Sequence, residues 1–300
     1  MSRLFDALKG AKGFREAEEG TAGEGVWEAL GINGTDAAPI LNDVDSTDQA
    51  STSAPPRPER LQDGEEQLIR RLKGTFATSI QTAVDPNAHL IPHAVNVVIA
   101  EHYRRLRTKI LQAQAEKPFK SLVVTSANPQ EGKTVTVLNL GLSFAMLPSC
   151  RVLVVDGDLR KGTLGHWLGV DDSHLGLSNL VDGSAQLEDV LLKSNELPMH
   201  FIVRGNSQVH DLHNSQLDSH FRKMTEQYDL VLVDTPPVNL IADVQLLAAG
   251  CDAVLLIARA FITTTKMFER AVQELAPFRI IGTVLNAGVE PSARYRGDYY

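Results

Sequence analysis

The sequence predicts an α/β fold: a mostly parallel, doubly wound sheet with its chemistry at the carboxyl ends of the strands. Three observations predict it. Apolar runs rich in Val, Ile and Leu alternate with segments of helical period, the rhythm of parallel strands joined by crossover helices. The runs are near-continuous, as strands are when helices cover both faces of a sheet. Three of them lead into polar turns, carrying Gly132-Lys133-Thr134, Asp156-Gly157-Asp158 and Asp234-Thr235-Pro236.

In chain order, residues 2–12 set Leu4, Phe5 and Leu8 at helical spacing, and a short solvated helix is expected there. Residues 20–60 turn to Gly, Ala, Ser, Asp and Pro, a composition too poor in apolar surface to offset chain entropy, so a disordered N-terminal region is expected. Residues 65–76 regain a helical pattern through Leu68, Ile69 and Leu72, and Asp85-Pro86 then breaks the chain. This divides the sequence into 1–85, short helices and linker; 86–292, the folded domain, with its first element near Leu90; and 293–300, a tail. Within the domain, strands are expected at 121–125, 151–155, 200–203, 230–233, 253–258 and 280–285. Helices are expected at 133–146, 215–227, 240–249 and 265–275, with a broken helical region over 164–192.

Bulk properties exclude several classes. Hydrophobic content of 43% and charged content of 22% are those of a soluble globular chain. A net charge of −8 leaves no basic excess for a nucleic-acid partner. The two cysteines, Cys150 and Cys251, have no metal-ligand neighbours, so buried free thiols in a reducing compartment are expected. No apolar run reaches the roughly 18 residues that span a bilayer, and residues 1–20 lack a signal-peptide core. A cytoplasmic location is expected.

The stretch SLVVTSANPQEGKTVTVLNLGLSFA, from Ser121 to Ala145, reads strand, loop, helix. Such a loop aims backbone N–H groups from Gln130, Glu131, Gly132, Lys133, Thr134 and Val135 at a polyphosphate. The helix N-terminus adds its dipole, Lys133 a charge, and Thr134 a hydroxyl for Mg²⁺. The first glycine of the usual phosphate-loop pattern falls on Ala127. By itself Gly-Lys-Thr at a helix start is common, but two acidic strand ends follow it. Asp156 and Asp158, on alternate residues, can converge on one cation, while Arg160 reaches a phosphate or a carboxylate. Asp234 is placed as a Mg²⁺ holder, although a lone strand-end aspartate is more often a turn residue. These are Walker A, A′ and B positions, and ATP with Mg²⁺ is the expected cofactor set.

The order of these motifs resembles the bacterial tyrosine kinases, P-loop autokinases that regulate capsule and exopolysaccharide chain length. The resemblance covers 86 to the C-terminus. Glu101, Arg104 and Arg107 match the family's E-x-x-R-x-x-R segment, which joins subunits into a ring; without the family they are opposite charges on a solvated helix face. Residues 176–183, GLSNLVDG, match a stretch that follows the second motif. Asn286, closing Gly282-Thr-Val-Leu-Asn286, matches an asparagine that contacts adenine, and is otherwise a strand-end turn residue. Tyr295, Tyr299 and Tyr300 match the phosphorylated tyrosine cluster. The loop departs from the pattern at Gln130, where relatives often carry glycine.

The resemblance implies an ATP-dependent protein tyrosine autokinase acting in trans on the tail of a neighbouring copy. Lys133, Asp156 and Asp158 would be catalytic, and Thr134, Asp156 and Asp234 would hold the metal. It also implies a homo-oligomer, a separate inner-membrane polysaccharide chain-length or co-polymerase protein as activator, and a peripheral position at that membrane. A rival is the deviant P-loop switch ATPase of the partitioning or division-site type, which carries a second lysine five residues before the invariant one; here that position is Asn128. A nucleotide-binding scaffold without strong catalysis is the third reading.

Overall fold

The computed structural model describes residues 78–80, 97–208 and 214–288. The expected helices at 2–12 and 65–76, the linker and the tyrosine tail lie outside these. Eight strands form one sheet in the order β1-β4-β5-β3-β6-β2-β7-β8. They are β1 (Thr78–Ile80), β2 (Ser121–Ser126), β3 (Val152–Asp156), β4 (Leu192–Ser194), β5 (His200–Ile202), β6 (Leu230–Asp234), β7 (Ala253–Arg259) and β8 (Ile280–Asn286). Every adjacent pair is parallel except β4 with β5, which is antiparallel.

Eight helices among the described residues cover the sheet. They are α1 (Val97–Glu116), α2 (Lys133–Ala145), α3 (Leu164–Trp167), α4 (Leu177–Val181), α5 (Leu187–Val190), α6 (Asn214–Gln227), α7 (Asp243–Ala249) and α8 (Thr265–Glu274). The double winding is visible in the burial of β2. Val123 packs into one core with Leu217 and Phe221 of α6, Val244 of α7 and Phe268 of α8. Leu122 and Val124 face the other core with Val137 and Leu140 of α2 and Ile110 of α1. All six residues of β2 are buried, so both alternate faces of the strand can be apolar. Helix α2 is buried on nearly every side from Thr136 to Phe144, which is why it reads as hydrophobic all round.

The expected strands at 121–125, 151–155, 200–203, 230–233, 253–258 and 280–285 are present within a residue or two, and so are the expected helices at 133–146, 215–227 and 265–275, while the 20-residue α1 adds to the expected elements. Three features differ. The region 164–192 resolves into three short helices and β4, and its short β4–β5 connection makes that pair antiparallel. The helix expected from 240 begins at Asp243, because Leu240 and Ile241 form a turn back onto Pro237. Strand β1 pairs with β4 ahead of residue 86, so the sheet takes in chain upstream of the expected start of the domain. Both cysteines are free, as expected, but each is partly exposed rather than buried.

The chain leaves β2 for β3 on one side, β6 later fills the gap between them, and β7 adds on the other side of β2. That reversal sets the carboxyl ends of β3, β6 and β2 side by side, where open α/β sheets bind ligands. The segment 176–183 is stapled to the end of β5, with the Leu177 and Ser178 N–H groups donating to the Val203 and Arg204 carbonyls at 2.9 and 2.8 Å. A Cβ on Gly176 would overlap the backbone at Val203 and Gly205. Gly176→Ala is therefore expected to cost about 2 kcal/mol or more, read as a lower urea midpoint with unchanged slope.

Candidate functional site

The site begins at Gly132, the N-cap of α2. Its φ of 92° is left-handed backbone that glycine adopts without penalty, and a Cβ there would collide with the Asn286 side-chain amide. No other residue fits on either count. Gln130 is also left-handed, at φ 60°, a conformation costing a non-glycine residue about 1 kcal/mol or more. It is held from outside: Arg259, at the end of β7, donates Nη1–H to the Gln130 carbonyl at 2.8 Å.

Glu131 is completely buried. Its carboxylate accepts the Asn128 N–H at 3.0 Å and the hydroxyl of Thr263. The Thr263 oxygen in turn accepts the Arg259 N–H at 2.8 Å. Asn286 donates its amide to the Glu131 carbonyl at 2.9 Å and accepts the Ala287 N–H at 2.9 Å. Asn286, matched to an adenine contact, thus serves the loop backbone here. Arg259 and Thr263 were not legible in the sequence, since neither sits in a motif; an Arg and a Thr bounding the turn after an apolar strand were the only signal.

The strand ends supply the carboxylates. Asp156 and Asp234 are paired in register across β3 and β6, so their side chains are neighbours. Gly157 N–H donates to the Asp234 carbonyl at 2.7 Å and locks the two strand ends together. Asp156 is fully buried and accepts the N–H groups of Asp158 and Leu164 at 3.1 and 3.0 Å. Burial first, and the Asp234 charge second, hold its carboxyl well above the ordinary range. Asp234 accepts the Thr134 hydroxyl on Oδ2 at 2.6 Å, and burial raises its pKa from 3.8 to about 6.

Lys133 donates to the Ser126 hydroxyl at 3.1 Å. Burial lowers its pKa, while Asp234, Glu131 and Asp158 oppose the fall. Asp158 accepts the Arg160 and Lys161 N–H groups, shaping the turn, while remaining close enough to act on Lys133 and both other carboxylates. Arg160 takes the carboxylate option, pairing with Asp243 at 3.0 Å.

Oδ1 of Asp234 is buried without a hydrogen-bond partner. An orphaned carboxylate oxygen beside a hydroxyl is a fitting place for a hard cation. Among the described residues no three His, Cys, Asp or Glu side chains cluster to hold a metal.

The matched ring residues do not form one exposed set. Glu101 pairs with Arg104 at 3.4 Å and Arg105 at 3.7 Å on the surface of α1. Arg107 turns inward and donates to the Ser143 carbonyl of α2. Tyr295, Tyr299 and Tyr300 lie outside the described residues.

A family described as "AAA domain" matches residues 121–265. The tyrosine-protein kinase YwqD of Bacillus subtilis (strain 168) is 30% identical over 206 residues, covering 67% of this chain and 86% of that protein. The chain belongs to the bacterial tyrosine-protein kinases. CpsD of Streptococcus agalactiae, also a tyrosine-protein kinase, is 28% identical with 66% of this chain and 87% of that protein covered. The VpsO kinase domain superposes with a TM-score of 0.56 at 28% identity, over 63% of this chain and 96% of that one. The kinase domain of Escherichia coli tyrosine kinase ETK shares the fold at a TM-score of 0.61 and 24% identity, covering 82% of this chain and all of that one. Nucleotide binding follows for this kinase from its domain and loop. No helix among the described residues is long and apolar enough to cross a membrane.

Two predictions follow from the electrostatics and the bracing. The raised Asp234 value means that ionising it opposes folding of the empty protein: the penalty is absent well below pH 3.8, grows as pH rises, and is complete above about 6. Asp234→Asn should therefore raise the Tm of the nucleotide-free kinase at pH 7.5, by the equivalent of about 1–3 kcal/mol, and the gain should vanish toward pH 4. Arg259→Ala should weaken binding of a fluorescent ATP analogue by about tenfold, the worth of one charge-assisted hydrogen bond, with little change in Tm.

Proposed function

We propose that this kinase transfers the γ-phosphoryl group of ATP to tyrosine hydroxyls in residues 293–300 of a second copy. The observation that carries the reading is the arrangement at the strand ends: a phosphate loop, Lys133, and two buried carboxylates side by side. The loop N–H groups and Lys133 hold the β- and γ-phosphates. Thr134 and Asp234 hold Mg²⁺, with Asp156 beside them. When bound, the metal neutralises phosphate charge.

Asp156 is the proton acceptor. Its raised affinity for a proton suits it to take the phenol proton as the oxygen bonds to the γ-phosphorus and the bond to the ADP leaving group breaks. A phenol titrates near pH 10, so alignment and charge stabilisation supply most of the rate. Transfer between copies is supported by the sheet order: β8, after which the tail follows in sequence, is an edge strand and lies four positions from β3. The switch-ATPase reading is disfavoured by Asn128, whose backbone N–H and side-chain amide are both turned onto Glu131.

The wider role is control of exopolysaccharide or capsule assembly, through a separate membrane partner as activator. Residues 86–292 carry the kinase chemistry on a sheet that also takes in β1 (Thr78–Ile80), and the chain ahead of β1 serves as the partner-facing arm. Incubation of the purified chain with Mg-ATP should place phosphate on Tyr295, Tyr299 or Tyr300, mapped by mass, and Lys133→Met should lower it at least about a hundredfold. Nucleotide binding with no phosphotyrosine, in the presence of membrane partners as well, would reject the autokinase reading.

A further inference from the structure

Thr163 ends the turn after β3 and belongs to none of the three sequence motifs. It occupies the N-cap position of α3, where a threonine hydroxyl ordinarily accepts a backbone N–H of the first helical turn. Here the Thr163 side chain makes no cap hydrogen bond. Its hydroxyl instead lies 3.3 Å from that of Thr134, in the first turn of α2. The direction of this contact follows from counting protons. A hydroxyl has one proton to give, and Thr134 gives its own to Oδ2 of Asp234 at 2.6 Å. Thr163 is therefore the donor, and the chain of hydrogen bonds runs from Thr163 to Thr134 to Asp234.

The turn is pinned where it makes this contact. Leu164, the next residue, is fully buried in one core with Val137 and Leu138 of α2, and its N–H donates to Oδ2 of Asp156 at 3.0 Å. Gly162, the residue before, presses on the same carboxylate: a Cβ there would stand 2.7 Å from Oδ2 of Asp156 and 2.6 Å from Cβ of Arg204. Two successive residues thus serve both carboxylates, Leu164 through its backbone and Thr163 through its hydroxyl on the Thr134–Asp234 pair. The Thr163 side chain itself is exposed, so its packing asks for no hydroxyl. Thr134, for its part, needs a hydroxyl partner on that side, because a helical threonine divides between two rotamers, one of which turns its oxygen back to a carbonyl of the preceding turn.

We propose that Thr163 is a positioning residue of this kinase: by donating to Thr134 it selects the rotamer that turns the Thr134 hydroxyl to Asp234. The proposal rests on the assignment of Mg²⁺ to Thr134 and Asp234, and adds to it a residue from the turn after β3 that acts through Thr134. The hydroxyl–carboxylate pair is then set before metal and nucleotide arrive, and the part of the binding energy otherwise spent on ordering Thr134 is saved.

The test is Mg²⁺-dependent binding of a fluorescent ADP analogue by the full-length chain, which needs no phosphoryl transfer. Thr163→Val keeps the shape and removes the donor. It should raise the Mg²⁺ concentration that gives half of the metal's effect on binding by about fivefold, the worth of one neutral hydrogen bond, while leaving Tm and binding in EDTA unchanged. Thr163→Ser, which keeps the donor, should return that concentration to within about twofold of the unsubstituted value. An unchanged Mg²⁺ midpoint in Thr163→Val, or one that Thr163→Ser does not restore, overturns the inference. So does a fall in Tm together with weaker binding in EDTA, which would make Thr163 a structural residue of the turn. These outcomes leave the metal assignment standing. Nucleotide binding by the unsubstituted kinase that ignores Mg²⁺ would remove the assignment and the inference together.

Discussion

Two carboxylates that repel each other are held side by side, and much of the structure exists to hold them there. Asp156 and Asp234 occupy paired positions at the ends of adjacent strands, both buried, both with raised pKa values. Left to themselves such groups would separate or take up protons. The sheet prevents separation, because strands packed on both faces cannot slide, and the Gly157 bond to the Asp234 carbonyl closes the remaining freedom. Ionising either carboxylate therefore opposes folding. Oδ1 of Asp234 is buried without a hydrogen-bond partner.

The phosphate loop shows the same economy. Its left-handed turn at Gln130 and its glycine at 132 would not hold their shape as an isolated segment. Arg259 and Thr263 brace it from the end of β7, and Asn286 braces it from β8. The loop is therefore an edge shared by three strands. Helix α1 joins the same unit from behind: Tyr103 hydrogen-bonds with Thr136 and Asn139 of α2, and Arg107 reaches the Ser143 carbonyl. A contact made by Glu101 and Arg104 on the outer face of α1 would thus bear on the helix that starts at Lys133.

Legibility divided along a physical line. Apolar runs identified the central strands because their burial on both faces needs no particular partner. Gly132, Lys133, Thr134, Asp156 and Asp234 stood out in the sequence because they follow apolar strands directly, and the structure brings them together at adjacent strand ends. Glu131 was placed correctly in the loop, but its side chain works inward on Asn128 and Thr263, which no local pattern announces. The broken stretch 164–192 hid β4, since three residues carry too little periodicity to be told from a turn. Arg107 shared a helical pattern with Glu101 and Arg104 yet faces the core, because spacing gives a face of a helix and not its neighbour.

The sequence by itself determined that this chain binds a nucleotide on a parallel sheet, because hydrophobic burial and phosphate coordination are written in residue types at short range. Only the tertiary structure decided which strands lie next to one another. With that came the pairing of Asp156 with Asp234, the bracing of the loop by residues more than a hundred positions away, and the contact of Thr163, in the turn after β3, with Thr134. Those contacts depend on strand order and register, which are set by the packing of the whole sheet and by no single segment of it.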